Sequence, residues 1–117
     1  MKRILFVMLF LVILFTSTSM AHPPNKVSAE FDLETNILSV QVSHMVGGEN
    51  SRHYIDEIII THNGKQVIEQ LTTRQLSNQQ TFLYFMPAVD AGDEIKVVAV
   101  CNVAGQDSFQ LTVKESE

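Results

Sequence analysis

Residues 58–68 read IIITHNGKQVI, and this stretch decides the fold class of the chain. Two β-rich runs of apolar residues flank the dipeptide Asn63-Gly64. Asn-Gly between two such runs predicts a two-residue type I′ turn, because both residues readily adopt positive φ. The stretch therefore predicts a β-hairpin.

The pattern of short β-rich runs continues in both directions from this hairpin. No window of helical length has apolar residues at a period of 3.6, and turn signals such as residues 87–93 (PAVDAGD) separate the runs. The regular spacing is typical of an all-β, immunoglobulin-like antiparallel β-sandwich that forms one domain. About seven strands are predicted, at residues 26–32, 37–43, 54–62, 65–72, 81–86, 94–101 and 108–113.

The first 21 residues have the order of regions that is typical of a secretory signal peptide. Two basic residues precede an apolar run at residues 4–15, and small residues follow it. That run is shorter than the roughly 20 residues of a spanning helix. We therefore expect a signal peptide at residues 1–21 that is cleaved after Ala21, an exported domain at residues 22–117 that is periplasmic or secreted, and no transmembrane span after cleavage. An uncleaved anchor is the alternative.

Charge and cysteine content exclude several classes of protein. The chain has 8 basic and 13 acidic residues, and losing Lys2 and Arg3 with the signal peptide leaves a formal charge of −7. So acidic a domain is not expected to bind nucleic acid. Cys101 is the one cysteine of the sequence. An exported protein with a single cysteine has no internal disulfide, so its thiol is expected to be buried, paired with another chain or bound to a metal.

Two potential metal ligands fall on apolar strand faces by period-two alternation. His44 continues the face that begins with Leu38, and Cys101 continues the face that begins with Ile95. Both positions lie at a predicted strand end, at the edge of the sandwich core. No phosphate-binding glycine loop and no His-Glu-x-x-His motif is present, so histidine and cysteine are the main candidates for chemistry.

A second histidine is expected to join His44. The segment between His44 and His53 contains Gly47-Gly48, which allows the chain to double back and bring the two imidazoles together. Imidazoles with a thiolate favour iron, copper or zinc. Satisfied surface histidines are the competing interpretation. His62, next to the hairpin turn, is expected to be an exposed hairpin residue and not a ligand.

The pattern His44…His53-Tyr54-Ile55, followed by Cys101-Asn102-x-x-Gly105, resembles the superoxide reductase family, also known as neelaredoxins and the desulfoferrodoxin iron-binding domain. The resemblance covers most of the exported domain. In that family an immunoglobulin-like sandwich holds a mononuclear ferrous ion in four histidines and an axial cysteine.

The resemblance implies a specific ligand set and reaction. It matches His44 and His53 to two loop histidines, Cys101 to the axial thiolate and His22, more loosely, to an N-terminal ligand. It also implies one-electron reduction of superoxide to hydrogen peroxide, with an external electron donor. The sequence departs from the family at Ala104, where the final histidine is expected, and in a longer loop before His53. The oligomeric state is left open.

Two other functions are compatible with the same residues. Cleavage after Ala21 would make His22 the first residue, and its amino group and ring would chelate copper together with another histidine. Zinc would suit three imidazoles and a thiolate in a tetrahedral site. The other alternative is a metal-free immunoglobulin-like interaction module that kept the fold after losing the site.

Overall fold

A computed structural model describes residues 26–45 and 52–116, and this part of the chain is all β. The predicted signal peptide and His22 lie outside the described residues. In the described part, no helical segment has the length and hydrophobicity that a membrane crossing requires. The strands are β1 (Lys26–Asp32), β2 (Ile37–Ser43), β3 (Ile55–His62), β4 (Lys65–Leu71), β5 (Gln79–Phe85), β6 (Glu94–Cys101) and β7 (Gln106–Thr112).

The strands form two antiparallel sheets, which confirms the predicted β-sandwich. One sheet has the order β1-β2-β5 and the other has the order β4-β3-β6-β7. In constant-type immunoglobulin domains the fourth strand lies in the sheet of the first, second and fifth strands. Here β4 stays paired with β3, because the two-residue turn between them holds both strands in one sheet.

The predicted hairpin is confirmed in detail. Asn63 and Gly64 have φ values of 48° and 82°, as a type I′ turn requires of its two central residues. Strand boundaries differ most at β5 and β7, which each begin two residues before the predicted start. Polar residues extend these strands because their backbone groups pair with a neighbouring strand. Gln79 at the start of β5, for example, pairs with Ser43 of β2.

The core lies between the two sheets and is built from alternate residues of the central strands. Leu38, Val40, Ile58, Ile60 and Val97 are all fully buried. Their neighbours in sequence are more exposed, so period-two alternation separates core from surface in β2, β3 and β6. Burial of this apolar surface is the main source of stability in a domain that has no disulfide.

The strand directions define two ends of the sandwich. The start of β3 pairs with the end of β6, through Ile55 and Cys101, and the end of β3 pairs with the start of β6, through His62 and Ile95. Seven steps of about 3.3 Å separate Ile55 from His62, or roughly 23 Å. We call the end at Cys101 the site end and the end at His62 the far end.

Candidate metal centre

His44, His53 and Cys101 converge at the site end. One potential ligand atom from each of the three residues lies within 4.8 Å of the other two. The residues are separated by 9 and 48 positions in the sequence, so the fold and not local structure brings them together. This confirms the expectation that both loop histidines meet the single thiol.

Two of the three candidate ligands, His44 and Cys101, are positioned by the end of a strand. His44 directly follows β2, and its backbone N–H donates to the carbonyl of Asn78 at 2.8 Å, which extends the pairing of β2 with β5. Cys101 is the last residue of β6 and pairs with Ile55. Alternation along both strands then directs the His44 and Cys101 side chains toward the core, as the sequence predicts.

The cluster is shielded from solvent. His44 is 1% exposed and Cys101 is 4% exposed, while His53 is half-buried. The two imidazole rings meet edge to face, with centroids 4.4 Å apart and planes at 72°. The Nε2 atoms of both rings are buried, and Nε2 of His44 has no hydrogen-bond partner among the described residues. A buried polar atom without a hydrogen bond costs about 1–3 kcal/mol, so His44 Nε2 is suited to a partner such as a metal ion.

The separations are close to those of a bound ion. In zinc sites the metal–nitrogen and metal–sulfur bonds are about 2.1 and 2.3 Å long. A nitrogen and a sulfur that bind the same ion therefore lie at most about 4.4 Å from each other. The observed limit of 4.8 Å is slightly larger. Small side-chain rotations would therefore bring the two nitrogens and the sulfur onto one ion.

A glutamine that the sequence analysis did not single out supports the cluster. Gln75, in the loop between β4 and β5, is 3% exposed, and its Oε1 atom is 2.9 Å from Nδ1 of His44. Its Oε1 also accepts from the N–H of Ile55, while its Nε2 donates to the carbonyl oxygens of His44 and Ser77. The residue is in a polar loop 31 positions after His44, so no local pattern marks it.

Asn102 closes the site end from the other side. Its Nδ2 donates to the carbonyl of Arg52 at 2.7 Å, and its Oδ1 accepts from the N–H of Tyr54 at 2.8 Å. The Cys101 thiol lies 3.9 Å from the same Oδ1. The side chain therefore ties the β6–β7 turn to the segment that carries His53.

The remaining candidate residues have different outcomes. His22 lies outside the described residues, so its role stays a prediction. Ala104 is exposed in the turn after Cys101, where the resemblance expects a histidine. The prediction that His62 is simply an exposed hairpin residue is wrong: it is half-buried, because its Nε2 lies 2.8 Å from a carboxylate oxygen of Asp93. It takes no part in the metal-ligand group found among the described residues.

Comparison with known proteins supports the fold alone. No family model matches the chain, and no curated protein matches it. Among solved structures, the chain is similar to the crystal structure of hypothetical protein PH1083 from Pyrococcus horikoshii OT3, with a TM-score of 0.51 and 14% sequence identity. The similarity covers 84% of this chain and 94% of that chain. The sandwich architecture is therefore shared over nearly the whole of the other protein.

Proposed function

We propose that the chain is an exported, mononuclear iron-binding protein of the superoxide reductase type. The observation that carries the proposal is the convergence of His44, His53 and Cys101 at one end of the sandwich. These are the positions at which the sequence resembles the iron ligands of that family. Two imidazoles and a thiolate are a donor set that suits iron, copper and zinc far better than calcium or magnesium.

The chemistry of the donor atoms fits such an ion. A neutral imidazole binds a metal through an unprotonated ring nitrogen, and Nε2 of His44 is buried with no hydrogen-bond partner in the described part of the chain. The Cys101 sulfur has low exposure and faces the same space, so a thiolate formed there would be stabilised by a cation. Loss of the thiol proton on metal binding is expected.

When bound, a ferrous ion would supply the single electron that converts superoxide, with two protons, into hydrogen peroxide. In this chain Cys101 would donate electron density to the ion, as thiolate ligands do. His44 and His53 would hold the ion at the edge of the core, and burial of His44 and Cys101 would limit access of water from the core side. An external donor would have to restore the electron, since a rubredoxin-type centre needs four cysteines and the chain has one.

Ala104 limits the set of ligands that can be proposed. It leaves the described part of the chain with three donors where the resemblance implies more. Position 22 is a candidate for a further imidazole, because β1 begins at the site end four residues later, with Lys26 paired to Ser43. We therefore propose that the ligand set is His22, His44, His53 and Cys101, and that metal binding is weaker than in a site with every ligand.

The test is metal analysis of the exported domain, residues 22–117, after loading with ferrous iron and oxidation. Stoichiometric iron, with a visible charge-transfer band that disappears in Cys101→Ser, is the expected result. Superoxide consumption by the iron-loaded protein tests catalysis. It is measured for wild type and for Cys101→Ser. Stoichiometric copper or zinc in place of iron would point to a copper-binding sandwich or a zinc site. Absence of any bound metal would overturn the proposal and favour an interaction module.

A matched control separates this site from general effects of histidine loss. His62→Ala removes a histidine at the far end, roughly 23 Å along β3 from Ile55. We expect it to keep the iron content and the charge-transfer band of the wild type. Loss of iron in His62→Ala to the same degree as in Cys101→Ser would argue against a defined centre at the site end.

A further inference from the structure

We infer that Gln75 is the positioning residue of the metal centre and holds His44 in the tautomer that binds metal. The inference rests on the proposed metal site, but its central measurement does not need a metal. The hydrogen bonds of the Gln75 amide together determine the orientation of that group.

The backbone partners of Gln75 distinguish its oxygen from its nitrogen. The N–H of Ile55 is a donor, so the atom 3.2 Å from it must be the amide oxygen. The carbonyl oxygens of His44 and Ser77 are acceptors, each 2.7 Å from the other amide atom, which must be the nitrogen. The orientation therefore follows from three bonds to fixed backbone groups.

That orientation determines the tautomer of His44. Oε1 of Gln75 is 2.9 Å from Nδ1 of His44 and accepts only, so Nδ1 must carry the proton. In a neutral imidazole, Nε2 then has the free lone pair. This is the same nitrogen that is buried beside His53 and Cys101 with no hydrogen-bond partner in residues 26–45 and 52–116. Gln75 thus leaves the unprotonated nitrogen of His44 for the ion.

The same amide also connects the segments that carry the ligands. It binds the ring and the backbone carbonyl of His44, just after β2, and the first residue of β3, Ile55. Ile55 in turn pairs with Cys101 at the end of β6. One buried side chain therefore fixes the ring of one ligand and the strand that is paired with another. Partners of this kind, outside the ligand set, typically contribute 10- to 100-fold to metal affinity.

The direct test is the tautomer of His44 in metal-free protein, read from ring ¹⁵N chemical shifts at about pH 8, above the usual pKa of histidine. Wild type is expected to show Nδ1–H, and Gln75→Met, which has a similar shape without the amide, is expected to lose this preference. Gln75→Glu keeps an acceptor oxygen for Nδ1 but loses the donor to the carbonyl oxygens of His44 and Ser77, so it is expected to retain the Nδ1–H tautomer with a lower melting temperature. An Nε2–H tautomer in wild type, or an unchanged Nδ1–H tautomer in Gln75→Met, would overturn the inference.

Cobalt(II) alone is the probe for the effect on metal binding. We expect Gln75→Met to lower cobalt affinity by about 10- to 100-fold, whereas Gln66→Met, the same substitution at an exposed position of β4, should leave it unchanged. Affinity within twofold of wild type in Gln75→Met would contradict the positioning role. If wild type binds neither cobalt nor iron, the proposed function fails, while the tautomer measurement still decides how Gln75 acts on His44.

Discussion

The two ends of the sandwich place histidines in opposite chemical settings. At the far end, Nε2 of His62 is 2.8 Å from Oδ2 of Asp93, and that oxygen also accepts from the N–H of Asp90 at 2.9 Å. At the site end, Nε2 of His44 is more deeply buried and has no hydrogen-bond partner within the part of the chain that the structure describes. One imidazole is thus satisfied by a carboxylate, and the other has a ring nitrogen directed at a second imidazole and a thiol.

The difference separates a structural tie from a candidate binding centre. The bond between His62 and Asp93 joins the β3–β4 hairpin to the β5–β6 loop, and Asn63 adds backbone and side-chain bonds to Glu94. These groups need no further partner. The unsatisfied nitrogen at the site end costs about 1–3 kcal/mol, and an ion would remove that cost.

Exchange of histidine for alanine at each end should give opposite results. His44→Ala removes a ligand, so affinity for ferrous iron should fall by roughly 100-fold or more, beyond the usual effect of a residue outside the ligand set. His62→Ala should leave the affinity within about twofold and lower the melting temperature, because Asp93 loses its partner. Metal titration and thermal unfolding of both variants check this. Equal affinities in the two variants would remove the distinction between the ends.

The turn at the far end is expected to affect stability without affecting the site. Gly64 has φ of +82°, and a Cβ atom added there would meet no atom within 4 Å. The penalty of Gly64→Ala is therefore one of backbone strain, about 1–2 kcal/mol in the free energy of unfolding. Denaturant unfolding measures it. Metal affinity should stay that of wild type, and a loss of metal would show that the two ends are coupled.

Acid should weaken the far end first. Hydrogen bonds from the Asp90 backbone and from the His62 and Asn63 side chains lower the pKa of Asp93 to about 2. Because this value lies below the ordinary pKa of the unfolded chain, about 3.9, the ionised carboxylate stabilises the fold at neutral pH, and this contribution is lost as pH falls from about 4 to 2.

Asp93→Asn should remove that pH dependence. We expect a melting temperature that is a few degrees lower at pH 7 and a smaller further decrease between about pH 4 and 2 than in wild type. Thermal unfolding across this pH range compares the two proteins. The same slope in both would mean that other carboxylates are responsible for acid sensitivity.

The smallest effect is expected in the core. The hydroxyl of Tyr84 is buried without a hydrogen bond partner among the described residues, and burial raises the pKa of Tyr84 well above its ordinary value. Unlike His44 Nε2, the Tyr84 hydroxyl is not part of the metal-ligand group found among the described residues. Tyr84→Phe should therefore stabilise the fold by up to about 1 kcal/mol. A destabilisation of similar size in denaturant unfolding would show that the hydroxyl has a partner in solution.

Local sequence patterns determined most of the fold. The Asn63-Gly64 turn predicts its hairpin because few residue pairs tolerate two positive φ values, and alternation in β2 and β6 predicts which side chains are buried. The same alternation places His44 and Cys101 at buried strand ends. Strand limits at β5 and β7 were less accurate, because backbone pairing with a neighbouring strand extends a ladder through polar residues.

Tertiary structure alone decided how the candidate centre is supported. The sequence indicated that His44, His53 and Cys101 could share an ion, but it did not mark Gln75, whose role depends on four hydrogen bonds to groups up to 31 positions away. It also missed the tie between His62 and Asp93, again 31 positions apart. Periodicity reports on neighbours along one strand, whereas hydrogen bonds between loops depend on how the two sheets are packed, and no local pattern records that packing.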